Sequence, residues 1–177
     1  MKQPFERAFK TTIALEGGYK NTPEKETKYG LSKGDYPEED IKNLTRERAK
    51  EIYFTNYWKR MNCHKLDGFG SVAIELFYTG VNAGVDKGVK LFQEALNLTN
   101  RNEPDYINIP VDGKVGSQTI AALKAIQNLD IFFETINLLQ TEFYIQLMRG
   151  NEVNEKYIGW FNKVHLMTPI EKCSNLP

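Results

Sequence analysis

Glu16 is the residue in this chain best placed to do acid–base chemistry, because Leu15-Glu16-Gly17-Gly18-Tyr19 lies where a helical pattern runs out. Phe5, Ala8, Phe9, Thr12 and Ile13 recur at three-to-four spacing, with Pro4 near the start and the Gly17-Gly18 pair as the stop. Glu16 falls three residues after Ile13 and four after Thr12, at the edge of the apolar face. Partial desolvation and the negative end of the helix dipole then act together against the charged form of its carboxyl. A carboxyl kept protonated near neutral pH is what a general acid requires. A second acidic or hydroxyl group would come from the polar run that follows, where Glu24, Glu26 and Thr27 are the candidates.

Other residues invite chemistry less directly. Tyr19 and Tyr29 serve equally well as flat faces for a ligand and as the core of a hairpin. Trp58 falls off the apolar stripe of its helix, which favours a surface role. Asn82 sits in an apolar helix, where its amide must be satisfied by a ligand or by a second backbone segment. His64 beside Cys63 suggests a nucleophile or a metal ligand, but sequence neighbours rarely face each other and no further Cys or His is near, so a structural role is expected. His165 stands at no telling spacing. Neither a metal nor a cofactor is expected.

The elements that must position these residues are mostly helices. Lys20 to Lys28 reads as a loop or short hairpin, and Thr27-Lys28-Tyr29-Gly30-Leu31-Ser32 alternates like a strand broken by glycine, the one convincing β signal. Residues 33–43 read as a linker. Thr45 is placed to cap a helix to about Asn62 that carries Tyr53, Tyr57 and Trp58, and Ser71 to Ala83 is apolar nearly all round, hence the central helix. Gly84 ends it, and Asp86 is placed to cap a helix through Leu96. Asn97 to Pro110 is the longest loop, Asp112-Gly113 a turn, and Ser117 and Asp130 the expected caps of two further helices, the second running from Ile131 to Arg149. A last helix is expected from about Glu152 to Val164, with Trp160 in the core. This is a mainly α chain of α+β type, a helical bundle with one small β-hairpin after the first helix, and the order leaves a cleft between a small β-containing lobe and a helical one.

The totals exclude several classes. At 177 residues, 41% hydrophobic and 12% aromatic, the chain can bury one good core or two small lobes. Lys plus Arg and Asp plus Glu are 23 each, so no long-range field recruits nucleic acid or an anionic membrane. Cys63 and Cys173 are too few for a disulfide framework and match no metal spacing, so reduced thiols are expected. The first residues lack the continuous apolar core of a secretory signal, and no run of 18 apolar residues occurs. Synthesis in the cytoplasm is the expectation, with another component needed to carry the protein to any substrate outside it.

Taken in order, Glu16-Gly17-Gly18-Tyr19, Thr27 to Ser32, Tyr57-Trp58, Val81-Asn82-Ala83-Gly84, and Val111-Asp112-Gly113-Lys114-Val115-Gly116 followed by Thr119 form a series that resembles the glycoside hydrolase family 108 muramidases. These are lysozyme-like proteins of phages and prophages, sometimes labelled secretion activators. From about Val89 the chain is similar to the type 3 peptidoglycan-binding domain that accompanies them. The resemblance implies a lysozyme-like fold with a muramidase domain at 1–88 and a helical peptidoglycan-binding domain at 89–177, packed as one lobe with the first.

It also implies an N-acetylmuramidase that cleaves the β-1,4 bond between N-acetylmuramic acid and N-acetylglucosamine. Glu16 matches the family's catalytic glutamate and Thr27 its threonine, with Glu24 as the second carboxylate. Tyr19, Tyr29, Trp58 and Asn82 would touch the glycan strand, Asn82 through an N-acetyl group. The chain departs from the family pattern in two places. The Asp and Gly-Gly pair usual before the threonine are replaced by Asn21-Thr22-Pro23-Glu24-Lys25-Glu26, so that Glu24 or Glu26 stands in for the aspartate, and the acidic residue usual after Leu76-Phe77 is Tyr78. These departures define the alternative, a cell-wall-binding or secretion-associated module of weak catalysis on the same scaffold. The implied partners are peptidoglycan strands and, for export to the wall or periplasm, a holin or secretion machinery; a monomer is expected.

Overall fold

The apolar stripe of the first fifteen residues folds as its spacing predicts. In a computed structural model that describes residues 2–23, 25–100 and 105–149, α1 spans Lys2–Glu16 and buries Phe5, Ala8, Phe9 and Thr12. Gly17 ends it in the left-handed region (φ 75°), its N–H returning to the Ile13 carbonyl at 3.1 Å. Glu24, Pro104, Cys173 and the helix expected from about Glu152 to Val164, with Trp160, lie outside the described residues.

Three short strands follow, where one hairpin is expected: β1 (Lys20–Asn21), β2 (Glu26–Lys28) and β3 (Leu31–Ser32), antiparallel in the order β1-β2-β3. Lys20 and Asn21 are polar and carry no alternation, yet they pair with Thr27 and Glu26 because the Thr22–Lys25 turn closes on itself through reciprocal backbone bonds of 3.1 and 3.2 Å. Across the second turn Lys28 pairs with Leu31, so the connection is the two residues Tyr29-Gly30, both at positive φ (54° and 80°). That is the geometry of a type I′ turn, whose twist matches that of the strands.

Thr45 caps α2 (Arg46–Tyr53), its hydroxyl accepting from the Arg48 N–H at 3.1 Å. The helix does not continue regularly to Asn62 but widens into a π-helical stretch, Phe54–Lys59. This overturns the surface role expected of Trp58. On an α-helical wheel Trp58, five residues after Tyr53, rotates off the buried stripe; in i→i+5 geometry it comes round to the same side. Its indole is 2% exposed and packs 5.4 Å from Phe5 and 5.8 Å from Phe77, between ring centroids. A 3₁₀ turn, Cys63–Lys65, leads onward, and Cys63 is a free, buried thiol whose ionisation is pushed up by that burial.

The central helix α3 (Gly70–Ala83) is buried continuously from Val72 to Gly80. Gly84, at φ 88°, hands it directly to α4 (Val85–Leu98). Asp86 therefore sits inside the first turn of α4 rather than capping it, and pairs with Lys90 at 2.7 Å. α5 (Ser117–Ala125) begins at Ser117, with Gly116 and not Ser117 at its cap. Asn128 caps α6 (Leu129–Arg149), accepting from the N–H groups of Asp130 and Ile131 at 3.0 and 3.1 Å, so Asp130 instead faces the helix dipole from the first turn. Phe92 of α4 meets Phe132 of α6 edge to face at 5.3 Å. Among the described residues no helix is long and apolar enough to cross a membrane.

The buried amide of Gln93 fastens the Asp112-Gly113 turn to α4. Its Nε2 donates to Asp112 Oδ1 (2.9 Å) and the Lys114 carbonyl (3.0 Å), and its Oε1 accepts from the Gly113 N–H at 2.9 Å. The Gln93 amide, and then the Lys114 N–H, hold the Asp112 carboxyl below the usual aspartate range. A depressed carboxyl stabilises the fold above its unfolded value and loses that contribution as pH falls through the folded one. Asp112→Asn is therefore expected to melt below the wild type at pH 7, the two curves converging as a melting series descends into the acid range below about pH 4.

α3 and α4 cross at their glycines. A Cβ on Gly88 would stand 2.6 Å from the Gly80 Cα and 2.7 Å from its nitrogen, both backbone atoms that cannot turn aside. Alanine gains about 1 kcal/mol of helix propensity over glycine, which does not offset overpacking against rigid backbone. Gly88→Ala is expected to lower the unfolding free energy by about 1–3 kcal/mol in urea titration. Gly80→Ala, which meets the flexible Met61 thioether instead, should cost less.

Candidate active site

Glu16 is the last residue of α1, half-buried, and its side chain lies against the β2–β3 turn. The closeness of that approach shows at Gly30. A Cβ there would stand 2.7 Å from Glu16 Cγ, 3.0 Å from Glu16 Cδ and 2.7 Å from the Tyr53 hydroxyl. Gly30 is thus required twice, by its positive φ and by the space that Glu16 and Tyr53 take up.

Tyr53 reaches the site from the last turn of α2. Its ring is 2% exposed, with centroids 5.9 Å from Phe9 and 6.1 Å from Phe77, and its hydroxyl donates to the Tyr29 carbonyl at 3.0 Å. Burial, and then the Glu16 charge, push the phenol well above the ordinary tyrosine value, so it remains a donor. Tyr29 itself sits at φ 54°, a conformation that costs a residue with a Cβ roughly 1–2 kcal/mol. The Tyr53 hydrogen bond and the packing of the Tyr29 ring on the core offset that strain. Lys28 Nζ lies 5.6 Å from the Tyr29 ring centroid.

The sheet carries the remaining groups. Thr27, half-buried in the middle of β2, stands opposite Ser32 on β3 and Lys20 on β1. Cross-strand partners share a face of the sheet, so Thr27 lies between the buried Ser32 (1% exposed) and the exposed Lys20. Ser32 Oγ donates to Asp35 Oδ2 at 2.5 Å and accepts from the Asp35 N–H at 3.2 Å. A hydroxyl row with a carboxylate at its end therefore follows the turn. Glu26 is engaged by Tyr19, whose hydroxyl donates to Oε1 at 3.0 Å; desolvation and this partner raise the Tyr19 phenol. Burial, and then the neighbouring Tyr36, raise the Tyr57 phenol as well.

The structure thus brings Glu16 together with the turn residues Tyr29 and Gly30 on the hairpin that carries Thr27. Tyr19 joins the outer end of that hairpin with 39% of its surface exposed, available to a flat ligand. Trp58 does not join the group, since it is enclosed in the aromatic core. Asn82 lies half-buried in the last turn of α3. Glu24 falls outside the described residues.

Tyr53, Asp35 and Glu75 escape sequence reasoning. Tyr53 looks like one more aromatic of a core helix, and Asp35 like part of a linker. Glu75 interrupts an otherwise apolar helix, which is itself a signal, since a carboxylate is seldom buried without partners. It is 2% exposed, its Oε1 accepts from Gln140 Nε2 of α6 at 3.1 Å, and its charge together with burial raises the Tyr144 phenol. Among the described residues no three His, Cys, Asp or Glu side chains gather so as to hold a metal ion. What the hairpin and α1 assemble is a carboxyl next to extended backbone and hydroxyl groups, an arrangement able to deliver a proton to a ligand laid along the turn.

Comparison with known proteins bears on the family and the fold. Residues 9–84 match the family model described as glycosyl hydrolase 108, and residues 87–165 that described as a predicted peptidoglycan domain. Among solved structures the chain is similar to Brucella abortus SagA, at a TM-score of 0.73 and 20% identity, covering 95% of this chain and 93% of that one. That likeness shows a shared fold. No curated protein matches the chain.

Gly30→Ala is expected to lower stability by about 1–3 kcal/mol in chemical denaturation, from a strained φ and a Cβ pressed on Glu16 and the Tyr53 hydroxyl. Gly18→Ala, with open space around its Cβ and no positive φ, is the matched control and should change stability by less than about 0.5 kcal/mol.

Proposed function

We propose, for a chain whose residues 9–84 match the glycosyl hydrolase 108 model and whose residues 87–165 match that of a predicted peptidoglycan domain, that it is a peptidoglycan N-acetylmuramidase with Glu16 as general acid. The observation that carries this reading is the packing of the Glu16 carboxyl, at the end of α1, on the turn of the hairpin that bears Thr27.

In the proposed reaction a glycan strand lies along the hairpin, and Glu16 gives its proton to the oxygen that leaves when the β-1,4 bond between N-acetylmuramic acid and N-acetylglucosamine breaks. Water, oriented by the Thr27 hydroxyl, bonds to the exposed anomeric carbon and loses a proton to a carboxylate, for which Glu24 is the proposed base. Both new ends carry hydroxyls and the charge balances. Tyr19 offers a partly exposed ring for stacking on a sugar, and Asn82 an amide for an N-acetyl group. The second domain holds the wall, which raises the effective concentration of strands at the hairpin. The protein would meet its substrate outside the cytoplasm, after export through a holin or secretion machinery or after lysis, and act as a monomer.

Glu16→Gln is the test. It keeps the shape of the side chain and removes the transferable proton, so release of new reducing ends from purified peptidoglycan should fall by about 10²–10⁴-fold with an unchanged circular dichroism spectrum. Mass analysis of the released muropeptides names the bond cut. Wild-type turnover by the folded variant would refute the assignment, and wall binding by the wild type with no new reducing ends would instead select a binding module.

A further inference from the structure

We infer that Tyr53 is a positioning residue for Glu16, acting through the Tyr29-Gly30 turn. The inference rests on Glu16 being the acid, and it names a residue that touches no substrate. Three independent features meet in one place. The Tyr53 hydroxyl and the Glu16 carboxyl carbon both lie within 3.0 Å of the point a Gly30 Cβ would occupy, so acid and phenol both crowd the same turn glycine. The phenol donates to the Tyr29 carbonyl at 3.0 Å, which secures the peptide joining the two turn residues. Both of those residues hold positive φ, and Tyr29 does so with a Cβ, so the turn is not one that its own sequence favours.

A hairpin of two- and three-residue strands is too short to hold such a turn by its ladder alone. The phenol supplies what the ladder lacks. It is anchored in the core by a ring enclosed between Phe9 and Phe77, and it presents only its oxygen to the turn. Because Glu16 rests on the Gly30 backbone, any movement of the turn alters both the position of the acid and its separation from Thr27 on the adjoining strand. Tyr53 accordingly sets where the acid stands on the hairpin, while remaining buried beneath the turn.

Tyr53→Phe removes one oxygen and leaves the ring. Assayed at a temperature where both proteins are fully folded, the variant is expected to lose at least tenfold in kcat for reducing-end release with KM and sacculus binding within twofold of wild type, since misplacement by about 1 Å can reduce a rate by 10². Amide hydrogen exchange gives a readout that does not depend on activity. Exchange at Lys28 and Leu31, which flank the turn, should accelerate at least tenfold while that of α3 and α4 stays unchanged. Unaltered exchange at Lys28 and Leu31 would overturn the proposal whether or not the protein cuts the wall, as would a kcat within twofold of wild type. A wild type that releases no reducing ends, combined with accelerated exchange in the variant, would instead refute the assignment of Glu16 and keep Tyr53 as the support of the turn.

Discussion

The fully buried ring of Phe77 on α3 is the contact on which the rest of the structure depends. Phe5 of α1, Tyr53 of α2 and Tyr57 and Trp58 of the π-helical stretch all pack on it, with centroids 5.8 to 6.5 Å away. Aromatic groups in such tilted and edge-on arrangements are directional as well as apolar, so they fix the angles between helices and not only their proximity. From Phe77 the constraint passes outward through the Tyr53 ring to its hydroxyl, from there to the Tyr29-Gly30 turn, and from the turn to Glu16. A residue at the centre of the core thereby sets the position of a carboxyl at its edge.

The two halves of the chain are joined by equally specific contacts. Helices α3 and α4 approach so closely at Gly80 and Gly88 that no side chain fits between them, and the direct passage through Gly84 leaves no linker to flex. Farther along, the buried Glu75 of α3 accepts a hydrogen bond at Oε1 from Gln140 of α6. Removing either partner would leave the other desolvated, so the bond specifies how α6 sits on the central helix more than it adds net stability.

Much of the architecture was legible because it follows from local patterns. The stripe of α1, its glycine stop, the Thr45 cap and the all-apolar run of α3 announce themselves at short range. Errors arose where one local signal competed with another. Ser117 and Asp130 are both good capping residues one or two positions from a cap, and Gly116 and Asn128 occupy the caps instead. Lys20 and Asn21 have no strand character of their own and are strand only because a tight turn brings Glu26 and Thr27 across. Trp58 was misread because a helical wheel assumes a period of 3.6, and the widened turn changes that period just where the aromatic residues cluster.

By itself the sequence determined that Glu16 ends a helix at a glycine pair, that a short glycine-broken hairpin follows, and that the chain is mainly helical, since each depends on residues within a few positions of one another. It also held an ordered series of motifs that agrees with the two family models matched by residues 9–84 and 87–165. Only the tertiary structure decided that the hairpin turns back onto Glu16, that Tyr53 lies beneath the turn, and that Trp58 is core. Those facts join residues many positions apart, and they are settled by which faces can be buried together around Phe77, a condition that no single stretch of the chain expresses.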